Sequence, residues 1–235
     1  SVQVPLRLIW TQDEAIIEDI IRATNKQTEI RSDQFFAITE FGKQLEVHFQ
    51  SMTSDERLYY ERRSRQYDRL AIEKTRIVVH TQAVRVFSAM FLQLPHSTVR
   101  NYKSLSARVG NDIFVTGHKP SSYYTAAFTN YGLEFLWRNQ QLDTKYKVAR
   151  YQILLAFRLL TNPLPIPALN STRMDAYCEP IQKRLLDADK AGETFNQAVA
   201  IIDEVAGTAF ERDNIHSISF TEQVIKRCKD VHRTS

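Results

Sequence analysis

The sequence predicts a mainly α-helical protein, a multi-helix array with a small β element near the N-terminus. Apolar residues recur at three- and four-residue spacing over most of the chain after Ile77, which is typical of amphipathic helices. Only 6 Gly and 7 Pro interrupt the 235 residues. At positions 2–8, valine and leucine alternate with other residues, and this pattern favours one half-buried strand.

The predicted strand stands at the very start of the sequence. A strand needs a partner with which to pair its backbone. We therefore expect the chain to be a fragment of a larger α/β plus α protein, whose upstream portion completes the sheet.

The first half of the chain predicts several helices. A capping box at 11–14 favours a helix to about residue 23, and a second helix is expected from about 32 to 45. Residues 58–67 fit a strand or a helix almost equally well. A longer helix is predicted over 77–94, where Pro95 ends it, and Ser97 or Thr98 can cap a shorter helix that Gly110 ends.

The second half predicts larger helices. One should follow Ser121 and Ser122, and another should span 145–160, apolar almost all round and therefore buried. Residues 162–167 contain three prolines and should be extended. Three more helices are expected, at about 180–190, 193–206 and 220–232. The predicted division is 1–75, 76–161 as a helical domain, and 168–235 as helices packed on it.

Composition and charge exclude several classes of protein. The net charge of +4 is compatible with binding nucleic acid but does not require it. No apolar run is long enough to cross a membrane, so we expect no membrane partner. Cys178 and Cys228 form no CxxC pair, which favours a reduced, cytoplasmic protein.

Motif spacing gives no metal or cofactor site. No two of the six histidines lie three to five residues apart, and neither a Walker A motif nor a dinucleotide fingerprint is present. We therefore predict no metal, no cofactor and no identifiable catalytic residue. One pair, Arg227 and His232, resembles the Arg-x4–6-His motif of HEPN ribonucleases. The alternative reading is a solvated last helical turn whose cations face the helix dipole.

A basic and aromatic stretch is the strongest candidate for a binding surface. Guanidinium groups and aromatic rings together suit contacts to phosphates and bases. The same pattern also fits a solvated charged face or an internal ion-pair network, because Glu61 and Asp68 lie within it. The stretch contains Tyr59, Tyr60, Arg62, Arg63, Arg65, Tyr67 and Arg69.

A polar segment at 23–28 is a second candidate. Asn25 and Gln27 follow a predicted helix end, and their amides can donate and accept hydrogen bonds at a base edge. The structural alternative is a helix C-cap at Asn25, with Gln27 and Thr28 bonding to the backbone of the turn.

These two segments together resemble the AIPR (abortive infection phage resistance) family. The resemblance is carried by Ala-Thr-Asn-Lys-Gln at 23–27, by Tyr-Tyr-Glu-Arg-Arg at 59–63, and by an aromatic helix that leads into Pro95. Order and spacing agree from about Leu6 to about Arg138. The family's earlier elements, an Asn-Gly-Ile region and a Val-Asn-Gly-Cys-Gln-Thr element, are absent and would precede Ser1.

The resemblance implies a bacterial, cytoplasmic phage-defence protein, often with a nuclease-like region toward its N-terminus. Our preferred reading is its non-catalytic C-terminal portion, which binds nucleic acid or a partner such as the upstream portion of the same protein. The alternatives are a metal-independent HEPN-like ribonuclease, and an assembly module that dimerises through the helix at 123–136. The predicted binding residues are Asn25, Gln27, Tyr60, Glu61, Arg62, Arg63 and Arg65.

Overall fold

The computed structural model describes residues 10, 11, 13, 16, 17, 20, 39–99, 102–110 and 112–234. Over these residues the chain is mainly α-helical with one two-stranded sheet, which confirms the predicted fold class. The predicted strand at 2–8 and most of the predicted helix at 11–23 lie outside the described residues. None of the described helices is both long enough and apolar enough to cross a membrane.

The elements follow one another in a simple order. The first part contains α1 (Glu40–Gln50), β1 (Tyr59–Glu61), a 3-10 helix (Lys74–Arg76), β2 (Ile77–Val79), α2 (His80–Met90), α3 (Pro95–Thr98) and α4 (Tyr102–Val109). The second part contains α5 (Pro120–Arg138), a 3-10 helix (Thr144–Ala149), α6 (Arg150–Thr161), α7 (Arg173–Leu186), α8 (Ala188–Ala206), α9 (Arg212–Ile215) and α10 (Ile218–Thr234).

Helix α1 places the first side chains of the site. Its start is capped by Thr39, whose hydroxyl oxygen accepts from the backbone N–H of Gly42 at 3.1 Å. Phe41, Leu45 and Phe49 recur every four residues, form one stripe and are buried. The opposite, polar face of the same helix contacts the segment that follows β1.

The sheet corrects one prediction and resolves another. β1 and β2 are parallel, with Tyr59 opposite Ile77 and Glu61 opposite Val79. The open choice at 58–67 is therefore a short strand followed by a turn. Residues 77–79, predicted as the start of a helix, form the partner strand instead, because three consecutive β-branched residues favour extended backbone and pair with β1.

Helix α2 is shorter than predicted. It ends at Met90, and Pro95 begins α3 rather than stopping the longer helix. Proline suits this first helical position because its missing N–H has no partner there in any case. Ser97 and Thr98, predicted to cap the next helix, lie within α3 instead, and the predicted helix is observed as α4, which ends at Val109 just before Gly110.

Helix α5 is the central element of the fold. Most of its residues are buried, including Tyr123, Tyr124 and Phe128. The Tyr123 ring stacks on Phe87 of α2 with centroids 3.9 Å apart. The Tyr124 hydroxyl donates to the backbone oxygen of Glu56 at 2.7 Å, which anchors the segment before β1 to this helix.

The C-terminal helices pack on the same core. Helix α7 begins at Arg173, not near Pro180 as predicted, and Pro180 lies inside it. Asp187 caps α8 by accepting from the N–H of Lys190 at 3.1 Å. Helices on both sides of the extended proline segment contribute to one hydrophobic core. The division into three parts stays a prediction.

Candidate functional site

The basic stretch forms a turn that leaves the sheet after β1. We call residues 62–70 the arginine turn. It lies between β1 and the 3-10 helix at Lys74–Arg76, and its first residue directly follows β1, which is paired with β2. Arg65 adopts a left-handed conformation with φ 61°, which lets the chain reverse direction within the turn.

A buried ion pair fixes the arginine turn to α1. The Nε–H of Arg62 donates to Oε2 of Glu46 at 2.8 Å, and the Arg62 side chain is only 6% exposed. Gln66 donates from Nε2 to Oε1 of the same carboxylate. Its own Oε1 accepts from the backbone N–H groups of Arg62 and Arg63, at 3.2 and 3.1 Å. Glu46 therefore holds the arginine turn in two ways: directly through the Arg62 side chain, and through Gln66, which bonds to the backbone of the turn.

Tyr67 closes the base of the arginine turn. Its hydroxyl donates to the backbone oxygen of Tyr60 at 3.2 Å and accepts from Nε2 of Gln50 at 3.0 Å. Burial, reinforced by the nearby Glu46 carboxylate, raises the pKa of Tyr67 to about 12. The hydroxyl therefore stays protonated and keeps donating at physiological pH.

Tyr60 has an internal position. Its side chain is fully buried, and its hydroxyl lies 2.7 Å from Nδ1 of His80. Its ring packs edge-on against Phe49 of α1. In this conformation neither Tyr60 nor Arg62 presents its side chain to solvent, so we assign both of them to the support of the turn.

The outer side of the turn carries the accessible cations. Arg63, Arg65 and Arg69 are exposed, and Glu61 is half-buried at the end of β1. The Arg65 guanidinium is 4.0 Å from Asp68, with both side chains largely exposed, a pairing that contributes little energy. Three exposed guanidinium groups against one exposed carboxylate leave residues 62–70 with an outward excess of positive charge.

Two other arginines near the sheet are bonded to the protein itself. Arg76 donates from Nη1 to the backbone oxygens of Asp55 and Arg57, both at 3.0 Å. Arg138 donates to Oε1 of Glu73 at 2.6 Å. Both guanidinium groups also lie over the ring of Tyr131. The arginine turn is therefore distinguished from these neighbours by cations that point outward.

The remaining predicted residues have different outcomes. Asn25 and Gln27 lie outside the described residues, so their proximity to Arg62 and Arg63 stays a prediction. Among the described residues, no cluster of three or more His, Cys, Asp or Glu could hold a metal ion. Burial raises the pKa of each cysteine thiol, Cys178 and Cys228, to about 12, so neither thiol is a ready nucleophile.

The two alternative readings fall on residues with structural contacts. Arg227 pairs with Glu204 at 2.8 Å, and Nε2 of His232 bonds to the backbone oxygen of Leu159 at 2.9 Å. In α5, the aromatic residues considered for dimerisation, Tyr123 and Tyr124 among them, are largely buried within the chain. RNA cleavage and oligomeric state both stay predictions.

Sequence reasoning missed the residues that support the turn. Glu46 lies on the polar face of α1, sixteen residues before Arg62, and no local spacing links the two. Gln66 is one polar residue among several in the stretch. The direct packing of β1 on α1, seen in the contact of the Tyr60 and Phe49 rings, brings the arginine turn onto α1. Short-range sequence patterns carry no signal for such a tertiary contact.

The architecture is a helical scaffold that bears one short parallel sheet and an arginine-rich turn. The family model described as AIPR protein matches residues 1–231, and the chain belongs to the AIPR family. This confirms the family resemblance and extends it beyond Arg138. Membership indicates a role in phage defence by abortive infection. No curated protein and no solved structure gives a significant match.

Proposed function

We propose that this chain is a non-catalytic part of a bacterial, cytoplasmic phage-defence protein and binds nucleic acid through the arginine turn. The observation that carries the proposal is the contrast within the turn. Arg62 is buried against Glu46, whereas Arg63, Arg65 and Arg69 are exposed. One arginine thus fixes the turn, and three others are exposed to solvent, where a partner's charges can reach them.

The chemistry of the exposed residues favours phosphate as the partner group. A guanidinium presents a planar fork of N–H donors that matches two phosphate oxygens. Phosphates along a strand repeat at regular spacing, so several arginines on one turn can be used at once. The support from Glu46, Gln66 and Tyr67 reduces the entropy lost when the turn binds, because its backbone is already ordered.

The test is equilibrium binding to fluorescent single-stranded RNA, single-stranded DNA and duplex DNA at low salt. The variant replaces Arg63, Arg65 and Arg69 together with alanine. We expect the unaltered chain to bind at least one of these nucleic acids. The variant should bind at least about tenfold more weakly, a loss of about 1.4 kcal/mol.

A control variant removes the same charge elsewhere. Arg173, Arg212 and Lys229 are exposed residues of α7, α9 and α10, so their triple replacement by alanine matches the change in net charge. It should retain most of the affinity. An equal loss of affinity in both triple variants, or no nucleic-acid binding by the unaltered chain, would contradict the proposal. A protein would then be the remaining candidate partner for this surface.

A further inference from the structure

A hollow lined mainly by apolar side chains lies between α5 and the junction of α7 with α8. Its volume is about 310 Å³. Gly132 of α5 forms part of its wall, and a Cβ atom at this position would lie 3.3 Å from the Leu185 side chain and 3.5 Å from the Phe195 ring. The absence of a side chain at Gly132 therefore lets α7 and α8 pack closely on α5. We call this feature the α5 hollow.

Two exposed apolar side chains lie at the rim of the α5 hollow. Phe135 of α5 is 46% exposed, Leu186 at the end of α7 is 51% exposed, and both line the hollow. The other aromatic residues of α5 are buried or half-buried, so Phe135 is an exception on its own helix. Exposed aromatic and aliphatic side chains beside one apolar hollow are typical of an interaction surface.

The size of the α5 hollow suits the side chains at its own rim. A dry apolar cavity of about 150 Å³ accommodates a benzene molecule. The α5 hollow has about twice that volume, so it can take roughly two side chains of this size. Phe135 and Leu186 are two such side chains. In a two-fold symmetric contact the same patch lies on both copies, so side chains that project beside a hollow can fill the hollow of the other copy.

The charges around the α5 hollow also favour a second copy of the chain. Asp55, Asp189 and Arg76 line it. The Arg138 guanidinium lies 5.9 Å from the centre of the Phe135 ring. The rim thus carries charges of both signs, unlike the arginine turn, and a surface of mixed charge can be complementary to itself. Asp189 is exposed and has no ion-pair partner among the described residues, so a cation of a second copy can supply one.

We propose that two copies of this chain associate through the α5 hollow as a two-fold symmetric dimer. Phe135 and Leu186 of each copy enter the hollow of the other, and Asp189 of each copy faces the guanidinium groups at the rim of the other. Burial of the apolar side chains supplies the affinity, and the charges at the rim fix the orientation. The arginine turn contributes no residue to the hollow, so the proposal does not depend on the proposed function.

The test measures the mass of the whole chain by light scattering and sedimentation over a series of concentrations. The variants Phe135→Glu and Leu186→Glu place a carboxylate in the proposed interface. Leu164→Glu is the control, because Leu164 is 64% exposed and does not line the hollow. We expect the unaltered chain to dimerise. Phe135→Glu and Leu186→Glu should each raise the dissociation constant of the dimer at least about tenfold, while Leu164→Glu leaves it unchanged.

A charge reversal tests the same surface without altering its apolar residues. Asp189→Arg should also raise the dissociation constant of the dimer about tenfold. Glu193→Arg, a reversal at an exposed position of α8 outside the lining, should leave it unchanged. A chain that is monomeric at every concentration would overturn the proposal and leave a different protein as the candidate occupant. So would an assembly larger than a dimer, an equal loss in the control variants, or a dimer that survives Phe135→Glu, Leu186→Glu and Asp189→Arg.

Discussion

Replacing Glu46 with alanine should destabilise the protein and loosen the arginine turn. The substitution removes the carboxylate that accepts from Arg62 at 2.8 Å and also from Gln66. Breaking a buried ion pair by removing one partner costs about 3–5 kcal/mol. The Glu46 side chain is 16% exposed, so water can partly replace it, and we expect the lower end, about 3 kcal/mol.

The assay is denaturant unfolding with a matched control. The free energy of unfolding should fall by about 3 kcal/mol, and the melting temperature by about 6–12 °C for a chain of this size. The control, Asp68→Ala, breaks the exposed pair with Arg65 and should cost under about 0.5 kcal/mol.

A double variant checks the physical reason. If the cost of Glu46→Ala comes from a buried charge that has lost its carboxylate, then replacing Arg62 with methionine as well should recover much of it. The reasoning is refuted if Glu46→Ala is no more destabilised than Asp68→Ala, or if the double variant recovers nothing.

Three further predictions concern other parts of the chain. Arg158 is buried, and only its Nη1 atom has a hydrogen-bond partner, the Tyr177 hydroxyl, while Nε and Nη2 have none. Arg158→Met should therefore raise the free energy of unfolding, measured by denaturant unfolding, by about 1–3 kcal/mol. Tyr177→Phe should lower it, because it removes the one partner of the buried guanidinium. The pKa of Tyr67 is raised to about 12, above its value in the unfolded chain, so its protonated hydroxyl stabilises the fold below pH 10 and this stabilisation is lost as the pH rises to 12. The difference between the spectrophotometric titrations of the unaltered chain and of Tyr67→Phe should show one tyrosine that titrates near pH 12. A difference that titrates near pH 10 would contradict the prediction. Because His232 bonds to the backbone oxygen of Leu159, the His232→Ala variant and the unaltered chain should leave the same amount of intact RNA after incubation. RNA cleavage by the unaltered chain that His232→Ala abolishes would support the ribonuclease alternative.

The sequence predicted the helical part of the fold well because those helices carry periodic apolar stripes. Phe41, Leu45 and Phe49 repeat every four residues on α1, and the buried residues of α5 are almost continuous. The errors fall where tertiary contacts override local preference. Ile77 to Val79 form a strand because their β-branched side chains favour extended backbone and β1 lies beside them. Pro180 fits inside α7 although proline usually limits a helix.

The candidate site was predicted in part. The clustering of arginine and tyrosine at 59–69 indicated the segment that the structure shows as the arginine turn. The sequence could not distinguish the buried Arg62 from the exposed Arg63 and Arg65, because all three are arginines in the same short segment. Which of them is buried depends on Glu46, a residue of α1.

The salt dependence of nucleic-acid binding tests the central claim most directly. Binding to single-stranded nucleic acid should weaken as salt rises, and each phosphate contact contributes about 0.7 to the slope of log affinity against log salt. If Arg63, Arg65 and Arg69 each neutralise one phosphate, their replacement by alanine should reduce that slope by about 2. A slope that is the same in the variant and the unaltered chain would show that the arginine turn does not contact phosphate.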